Sequence, residues 1–179
     1  MSQGKRKSSL TRRNTIALMS LSGMLSALVF VITAYLHIPT YNGYLHVGDA
    51  FIFLAACLLP MPYAVSVGAI GAMLADVLTG YAIWAPGSVL IKAMIALLFT
   101  CKSKRIVTAR NALMLIPAAA ISIGGYYFYE VLITGSFAAS LAGIPGSSLQ
   151  ALASSAVFLA LGLAMDRLGL KKRITEIYR

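Results

Sequence analysis

Four ionisable side chains stand inside otherwise apolar segments of this chain: Asp49, Asp76, Lys92 and Glu130. Charged groups in such segments are costly, and they usually pair with one another, face the interior of a helical bundle or line the path of a substrate. The chemistry that they indicate is therefore ion pairing and polar contact with a ligand. Gln150, a polar residue in a later apolar segment, extends the same set.

The composition indicates that these segments lie in a membrane. Of the 179 residues, 59% are hydrophobic and only 11% are charged, which is too little polar surface to cover a soluble domain of this size. A spanning helix needs about 20 apolar residues, so the chain has room for about six spans and none for a separate soluble domain. We expect an all-α integral membrane protein of six transmembrane helices, with any ATPase module on another chain.

Apolar stretches separated by glycine, proline and charge predict where the spans lie. The predicted spans are 14–36, 49–59, 62–80, 86–101, 111–134 and 147–165. They form a single membrane domain over 1–179, with basic tails at 1–13 and 166–179 around a bundle at 14–165. Spans two and four are short for a full crossing, so we expect them to tilt, to borrow flanking residues or to bury an end inside the protein.

The 15 lysines and arginines predict the orientation in the membrane. All but Lys92 lie before span one, between spans four and five, or after span six: Lys5, Arg6, Lys7, Arg12, Arg13, Lys102, Lys104, Arg105, Arg110, Arg167, Lys171, Lys172, Arg173 and Arg179. The positive-inside rule then places both termini in the cytoplasm of a cell with a bacterial-type plasma membrane. Topology and contact with anionic lipid explain the net charge of +10, so no nucleic-acid partner is expected.

This topology places the intramembrane charges in the outer half of the membrane. Asp49 begins span two, Asp76 and Glu130 lie ~6 Å from the outer ends of their helices, and Lys92 lies ~9 Å inward. Asp49 either caps its helix or has a further role. Asp76 either pairs with Lys92, holding spans three and four together, or contacts a ligand. Glu130 has no predicted cationic partner, which makes it the strongest candidate for ligand contact, with Lys92 next.

Aromatic residues are concentrated on the predicted outer side. Seven of the nine tyrosines and the single tryptophan lie there: Tyr35, Tyr41, Tyr44, Tyr81, Tyr126, Tyr127, Tyr129 and Trp84. An interfacial aromatic belt is one explanation, but a belt decorates both membrane faces. A surface on which a flat ring-containing ligand stacks explains the asymmetry better.

Span one carries small residues at a spacing of four. Ser22 with Ser26 and Gly23 with Ala27 form two such pairs, which allow another helix to approach closely. The approaching helix belongs either to this chain or to a partner protein.

Motifs of soluble enzymes are missing from the sequence: there is no P-loop, HExxH, CxxC or GxSxG. We therefore expect no catalytic residues, no metal and no cofactor.

Three other functions stay open. A stand-alone secondary transporter would need coupling groups near the midplane and usually inverted repeats, neither of which is seen. An integral-membrane enzyme acting on a lipid or isoprenoid would need a motif for its chemistry. A scaffold subunit would need no ligand.

Several stretches resemble the substrate-binding S components of energy-coupling factor (ECF) vitamin transporters. They are the small-residue pairs of span one, "HVGDAFIFLAACLLP", "GAIGAMLADVLTG" and the single lysine of "PGSVLIKAMIALL". The resemblance extends over all six spans, is densest between His46 and Leu98, and is closest to the riboflavin-type, HmpT-like branch. It implies a protein that binds a vitamin or precursor from outside and docks on a transmembrane T component with two ATP-binding cassette subunits.

Carried onto this sequence, the resemblance implies three groups of residues. The substrate-binding residues would be Tyr41, Asn42, His46, Trp84, Lys92, Tyr126, Glu130 and Gln150, with Tyr41 to His46 in a lid. The docking residues would be Ser22, Gly23, Ser26 and Ala27, where the family often has Ala-xxx-Ala. Asp49 would fix the junction of lid and helix, and Asp76 would hold Lys92 at the cavity mouth. A B-group vitamin or precursor is the expected substrate.

Overall fold

The computed structural model describes residues 2–40 and 43–178, and for 2–11, 40 and 43 it describes the backbone alone. In chain order, the elements are α1 (Ser2–Tyr35), β1 (His37–Thr40), β2 (Gly43–His46), α2 (Gly48–Leu58), α3 (Met61–Leu78), α4 (Ala85–Leu98), α5 (Ala109–Leu113), α6 (Leu115–Thr134), α7 (Phe137–Ser140), α8 (Ile144–Arg167) and α9 (Leu170–Glu176). Short 3-10 turns lie at Ala82–Trp84 and Leu141–Gly143. The predicted helical membrane bundle is confirmed, with a small hairpin added to it.

Four helical stretches of the described residues are long and apolar enough to cross a membrane: Arg12–Tyr35, Met61–Leu78, Ala109–Thr134 and Phe137–Arg167. Gly48–Leu58 and Ala82–Leu98 are apolar but shorter, as predicted for spans two and four. Three of the helices have a proline as their second residue, Pro62 in α3, Pro86 in α4 and Pro145 in α8. Proline suits that position because its missing N–H has no partner there anyway.

The first predicted loop folds into an antiparallel hairpin. His37 lies opposite His46 and Ile38 opposite Leu45 in the register of β1 and β2. The sequence carries a hairpin signal at this point, since Asn42 precedes Gly43 and Asn-Gly favours the tight turns that join two strands. Tyr41 and Asn42, which the resemblance places in the binding site, lie outside the described residues.

Helix α2 is the centre of the bundle. Ten of its eleven residues are buried, and it packs against α1, α3, α4 and α8. Phe53 of α2 stacks on Phe99 with ring centroids 4.7 Å apart, and the edge of Phe158 completes the cluster. The shortness of span two follows from this position, because a helix surrounded by protein meets little lipid and its ends are satisfied by protein groups.

The packing of α1 on α3 depends on a small residue at their crossing. A Cβ atom added to Gly71 would lie 2.8 Å from the side chain of Val29 and 2.9 Å from the backbone oxygen of Ser26. Any larger residue at position 71 would therefore push the two helices apart. On its other side α3 packs against α4, which packs in turn against α6, and α6 packs against α8.

The end of the bundle with loop 99–108 and α9 is here called the basic end. Asp166 accepts hydrogen bonds from the backbone N–H groups of Ile106 (2.7 Å) and Val107 (2.9 Å). Asn111 donates to the backbone oxygens of Thr100 and Ile106, at 3.2 and 3.0 Å. The loop that carries the predicted cytoplasmic charges is thus fixed to the bundle by side chains.

Candidate ligand-binding site at the hairpin end

A cavity lies at the opposite end, called the hairpin end, where the hairpin, Ala82–Trp84 and Leu141–Gly143 meet. Its volume is about 140 Å³, roughly ten times what one water molecule needs, so it is larger than a packing defect. Side chains from β2, α3, α4, α6 and α8 contribute to its lining. Five of the residues that the resemblance assigns to the substrate are among them: His46, Trp84, Tyr126, Glu130 and Gln150.

Lys92, the sixth described candidate, is not at the cavity surface. Its side chain is 1% exposed, and Nζ lies 2.7 Å from Oδ1 and 2.9 Å from Oδ2 of Asp49. The predicted pairing of Lys92 with Asp76 is therefore wrong. Depth along a helix could not distinguish the two acids, because both lie near the same end of the bundle and only the packing of α2 against α4 brings Asp49 to the lysine.

Asp49 also differs from its predicted role as a helix cap. The N-cap of α2 is Val47, which makes no side-chain cap hydrogen bond, and Asp49 lies in the first turn instead. There its negative charge is favourable to the helix dipole while its carboxylate pairs with Lys92.

Asp76 holds the hairpin. The Tyr44 hydroxyl donates to Oδ1 of Asp76 at 2.5 Å, a short distance that is typical of a hydrogen bond to a charged oxygen. Burial, followed by this hydrogen bond, raises the pKa of Tyr44, so the phenol keeps its proton. Asp76 is 5% exposed, and its Oδ2 has no hydrogen-bond partner among the described residues. The two aspartates thus exchange their predicted tasks: Asp76 contacts the hairpin and Asp49 contacts the lysine.

The hairpin is also tied to α8. The backbone N–H of His46 donates to Oε1 of Gln150 at 3.3 Å, and Nδ1 of His46 accepts from the backbone N–H of Gly48 at 3.0 Å. A ring nitrogen that accepts a hydrogen bond carries no proton, so this imidazole is neutral. Burial lowers the pKa of His46 to about 4, with Lys92 and His37 acting in the same direction and Asp49 opposing them.

An aromatic wall lies on the side of α4 and α6. The rings of Trp84 and Tyr126 are 6.2 Å apart at their centroids, and Trp84 also lies 6.0 Å from Tyr129. The Tyr126 hydroxyl lies 3.0 Å from Oγ of Ser88, while its ring covers Nζ of Lys92 at 4.8 Å. Tyr126 therefore separates the buried ion pair from the cavity.

Glu130 is 4% exposed and lines the cavity from α6. The turn before α8 lies close against its carboxylate: a Cβ atom added to Gly143 would be 2.7 Å from Oε2. Because glycine has no Cβ atom, position 143 leaves room for this carboxylate.

Several lining residues were not predicted. Ser88 lies one turn before Lys92 on α4, and Ala142 and Gly143 lie in the connecting segment before α8. The spacing of four between Ser88 and Lys92 is a signal in the sequence, since both lie on one face of a helix. The connecting segments offer no comparable periodicity.

The small residues of span one lie on two different faces of α1. Ser22 and Ser26 are buried against the rest of the bundle, whereas Gly23 and Ala27 are exposed. The described structure thus uses the serine pair for internal packing and leaves the Gly23 and Ala27 pair on the surface of α1.

Comparison with known protein families shows what the chain is similar to. The family model described as "ECF-type riboflavin transporter, S component" matches residues 13–167, which is most of the chain and includes every cavity-lining element. A comparison with curated proteins found no matching relative.

Proposed function

The chain belongs to the ECF-type riboflavin transporter S components, a family of membrane transport subunits, and we propose that its hairpin-end cavity binds a B-group vitamin or vitamin precursor for uptake. The observation that carries this proposal is the cavity itself, in which aromatic rings and polar side chains from β2, α3, α4, α6 and α8 converge. Concave sites with aromatic walls and a few placed polar groups are typical of small-molecule binding.

The proposed orientation places the cavity at the outer face of the plasma membrane. It rests on the distribution of lysine and arginine, which favours a cytoplasmic basic end and cytoplasmic termini. In this orientation the hairpin is a lid that Tyr44 fastens to Asp76 and His46 fastens to Gln150. Among the described residues, opening the lid would break these hydrogen bonds and the packing around them.

The proposed partners are a T component and two ATPase subunits, since transport that is driven by ATP needs both and the S component is expected to supply neither. Gly23 and Ala27, exposed on α1, are the proposed contact with the T component. Small exposed residues at a spacing of four permit close approach of a partner helix. On this proposal the chain is not an enzyme and needs no cofactor or metal of its own.

The first test is native mass spectrometry of the chain, purified in detergent after growth in rich medium. A vitamin or precursor carried through purification is the expected result. Binding is then measured for the purified chain and for a Trp84→Leu, Tyr126→Leu variant, which removes the aromatic wall. An empty chain that stays folded and binds no B-group vitamin would refute the proposal.

A further inference from the structure

Ser88 lies between the aromatic wall and the residue that holds the hairpin. It is 2% exposed, lines the cavity from α4, and its Oγ atom lies 3.0 Å from the hydroxyl oxygen of Tyr126. Its hydroxyl also acts as a hydrogen-bond donor to the carboxylate of Asp76, which accepts another hydrogen bond from Tyr44 on β2. Ser88 therefore contacts one group on α6 and one on α3, and the group on α3 fastens the hairpin.

The available protons fix the direction of these hydrogen bonds. A serine hydroxyl has one proton, so a Ser88 hydroxyl that donates to Asp76 must accept from Tyr126. The Tyr126 hydroxyl then has no proton left for its contact with Lys92, and an ammonium group can only donate, so Lys92 is the donor to the Tyr126 oxygen. The donors thus point one way, from Lys92 through Tyr126 and Ser88 to Asp76, and this series is here called the relay.

The second anchor of the hairpin leads back to the same lysine. The backbone N–H of His46 donates to Gln150, and the Gln150 side chain hydrogen-bonds in turn to the carboxylate of Asp49. Asp49 pairs with Lys92, where the relay starts. Both anchors of the hairpin, Tyr44 and His46, are therefore attached to one buried network of polar side chains around Lys92.

The hydrogen bonds of a buried network support one another. Each bond in a site of low dielectric polarises the next, so the loss of one hydroxyl weakens bonds that it does not itself make. Tyr126 is the member of the relay whose ring forms part of the aromatic wall. A displacement of this ring would therefore change the hydrogen bond that Ser88 donates to Asp76.

We propose that Ser88 is a positioning residue that couples the aromatic wall to the lid, because its hydroxyl holds Tyr126 and Asp76 in register. Tyr44 then fastens the hairpin fully only while the Tyr126 ring is in place. The inference rests on the proposed function for the ligand that the lid encloses, whereas the coupling is a property of the protein alone. For a ligand in the cavity, contact with the aromatic wall and closure of the hairpin become one event.

The test measures amide hydrogen exchange of hairpin peptides by mass spectrometry, on the full-length chain in lipid nanodiscs and without ligand. Exchange reports how often a segment opens locally. Ser88→Ala removes the central hydroxyl of the relay, and Tyr126→Phe removes the hydroxyl before it while keeping the ring. We expect each substitution to raise hairpin exchange by roughly fivefold or more and to leave exchange in α9, at the basic end, unchanged.

Two further variants distinguish coupling from a general loss of stability. Ser122→Ala is the matched control, since Ser122 is also 2% exposed but its hydroxyl has no hydrogen-bond partner among the described residues. Its hairpin exchange should equal that of the wild type. The double variant Ser88→Ala, Tyr126→Phe should exchange no faster than Ser88→Ala alone, because two hydroxyls that act in series are not additive.

Unchanged hairpin exchange in Ser88→Ala would refute the coupling. Effects that multiply in the double variant would also refute it, because the two hydroxyls would then act independently, and so would an equal rise in α9, which would mean a loss of global stability. Should Ser88→Ala not fold, exchange of the hairpin and of α9 in Tyr126→Phe decides. No vitamin is needed for these results, so the coupling can fail in a chain that carries a ligand, and a chain that binds none can still show it.

Discussion

Lys92 and Asp49 form a buried ion pair that joins α4 to α2, with Nζ 2.7 Å from the nearer carboxylate oxygen and both side chains 2% exposed or less. Both charges are removed from solvent, and each is compensated mainly by the other. The pair therefore lies next to the ligand cavity without contributing net charge to it.

Removing one member of this pair should destabilise the protein strongly. Asp49→Asn leaves a buried lysine without its counter-charge, and breaking a buried pair costs about 3–5 kcal/mol of unfolding free energy. Thermal unfolding in detergent measures the effect. The double variant Asp49→Asn, Lys92→Met, which removes both charges, should recover most of the loss. A double variant no more stable than Asp49→Asn would contradict this account.

The Tyr44 hydrogen bond should hold the hairpin closed. Tyr44→Phe removes the donor to Asp76 and keeps the ring contact with Tyr81, whose centroid is 4.8 Å away. Losing a hydrogen bond to a charged group costs about 1.5–3 kcal/mol. We expect faster dissociation of a bound ligand, measured by stopped-flow fluorescence of Trp84. Unchanged dissociation would show that the hairpin does not control exit.

Gly143 should be needed for binding and not for folding. In Gly143→Ala the new Cβ atom would lie 2.7 Å from Oε2 of Glu130, so the carboxylate must move. The backbone φ of −77° suits alanine, so no backbone strain is added. We expect about a tenfold loss of affinity with little change in melting temperature. Gly124→Ala, where an added Cβ meets nothing within 4 Å, is the control and should bind normally.

Stability should fall in mild acid because of His46. The pKa of this imidazole is lowered from 6.5 to about 4 in the folded protein, so the unfolded chain binds the proton first as the pH falls. Its contribution is therefore complete above pH 6.5 and is lost between pH 6.5 and about 4, with a slope of at most about 1.4 kcal/mol per pH unit. Melting temperatures of wild type and His46→Gln, compared over this range, isolate the effect. Parallel pH profiles would contradict it.

Substitutions on the exposed face of α1 should reduce assembly with the T component without changing the stability of the chain. Ala27→Leu adds a large side chain at an exposed position, and we expect it to reduce co-purification with the T component while leaving the melting temperature unchanged. Ala120→Leu, at an exposed position of α6, is the matched control for lipid-facing bulk. Ser26→Leu, by contrast, should destabilise the chain, since Ser26 is buried where α1 crosses α3 at Gly71. Normal assembly of the Ala27→Leu variant would place the docking surface elsewhere.

The helices were predictable from sequence because a membrane-spanning segment satisfies its backbone internally and shows itself by a long apolar run. The hairpin was not predicted, although Asn42 and Gly43 form a known turn signal, because four-residue strands leave little periodicity to read. The sequence left three explanations for the shortness of α2: tilt, borrowed flanking residues or burial inside the protein. The structure supports burial, because α2 packs against α1, α3, α4 and α8.

For the cavity, the sequence predicted most of the candidate lining residues correctly but not which side chains contact one another. Position along a helix gives depth, so Glu130 and Gln150 could be grouped at one end of the bundle. The aromatic asymmetry added Trp84 and Tyr126, and the family resemblance added His46. Depth does not tell which way a side chain points or which helices are neighbours. Lys92 was therefore assigned to the cavity and to Asp76, whereas its side chain points to α2 and Asp49.

The buried, central position of α2 has a consequence for biosynthesis. Its eleven residues extend ~16 Å, about half of the hydrocarbon thickness, and Asp49 has no counter-charge until α4 has been synthesised. The segment is therefore a poor substrate for independent insertion by the translocon. Only Leu59 and Pro60 connect it to α3, so we expect the two helices to enter the bilayer together and α2 to complete its insertion when Lys92 is available.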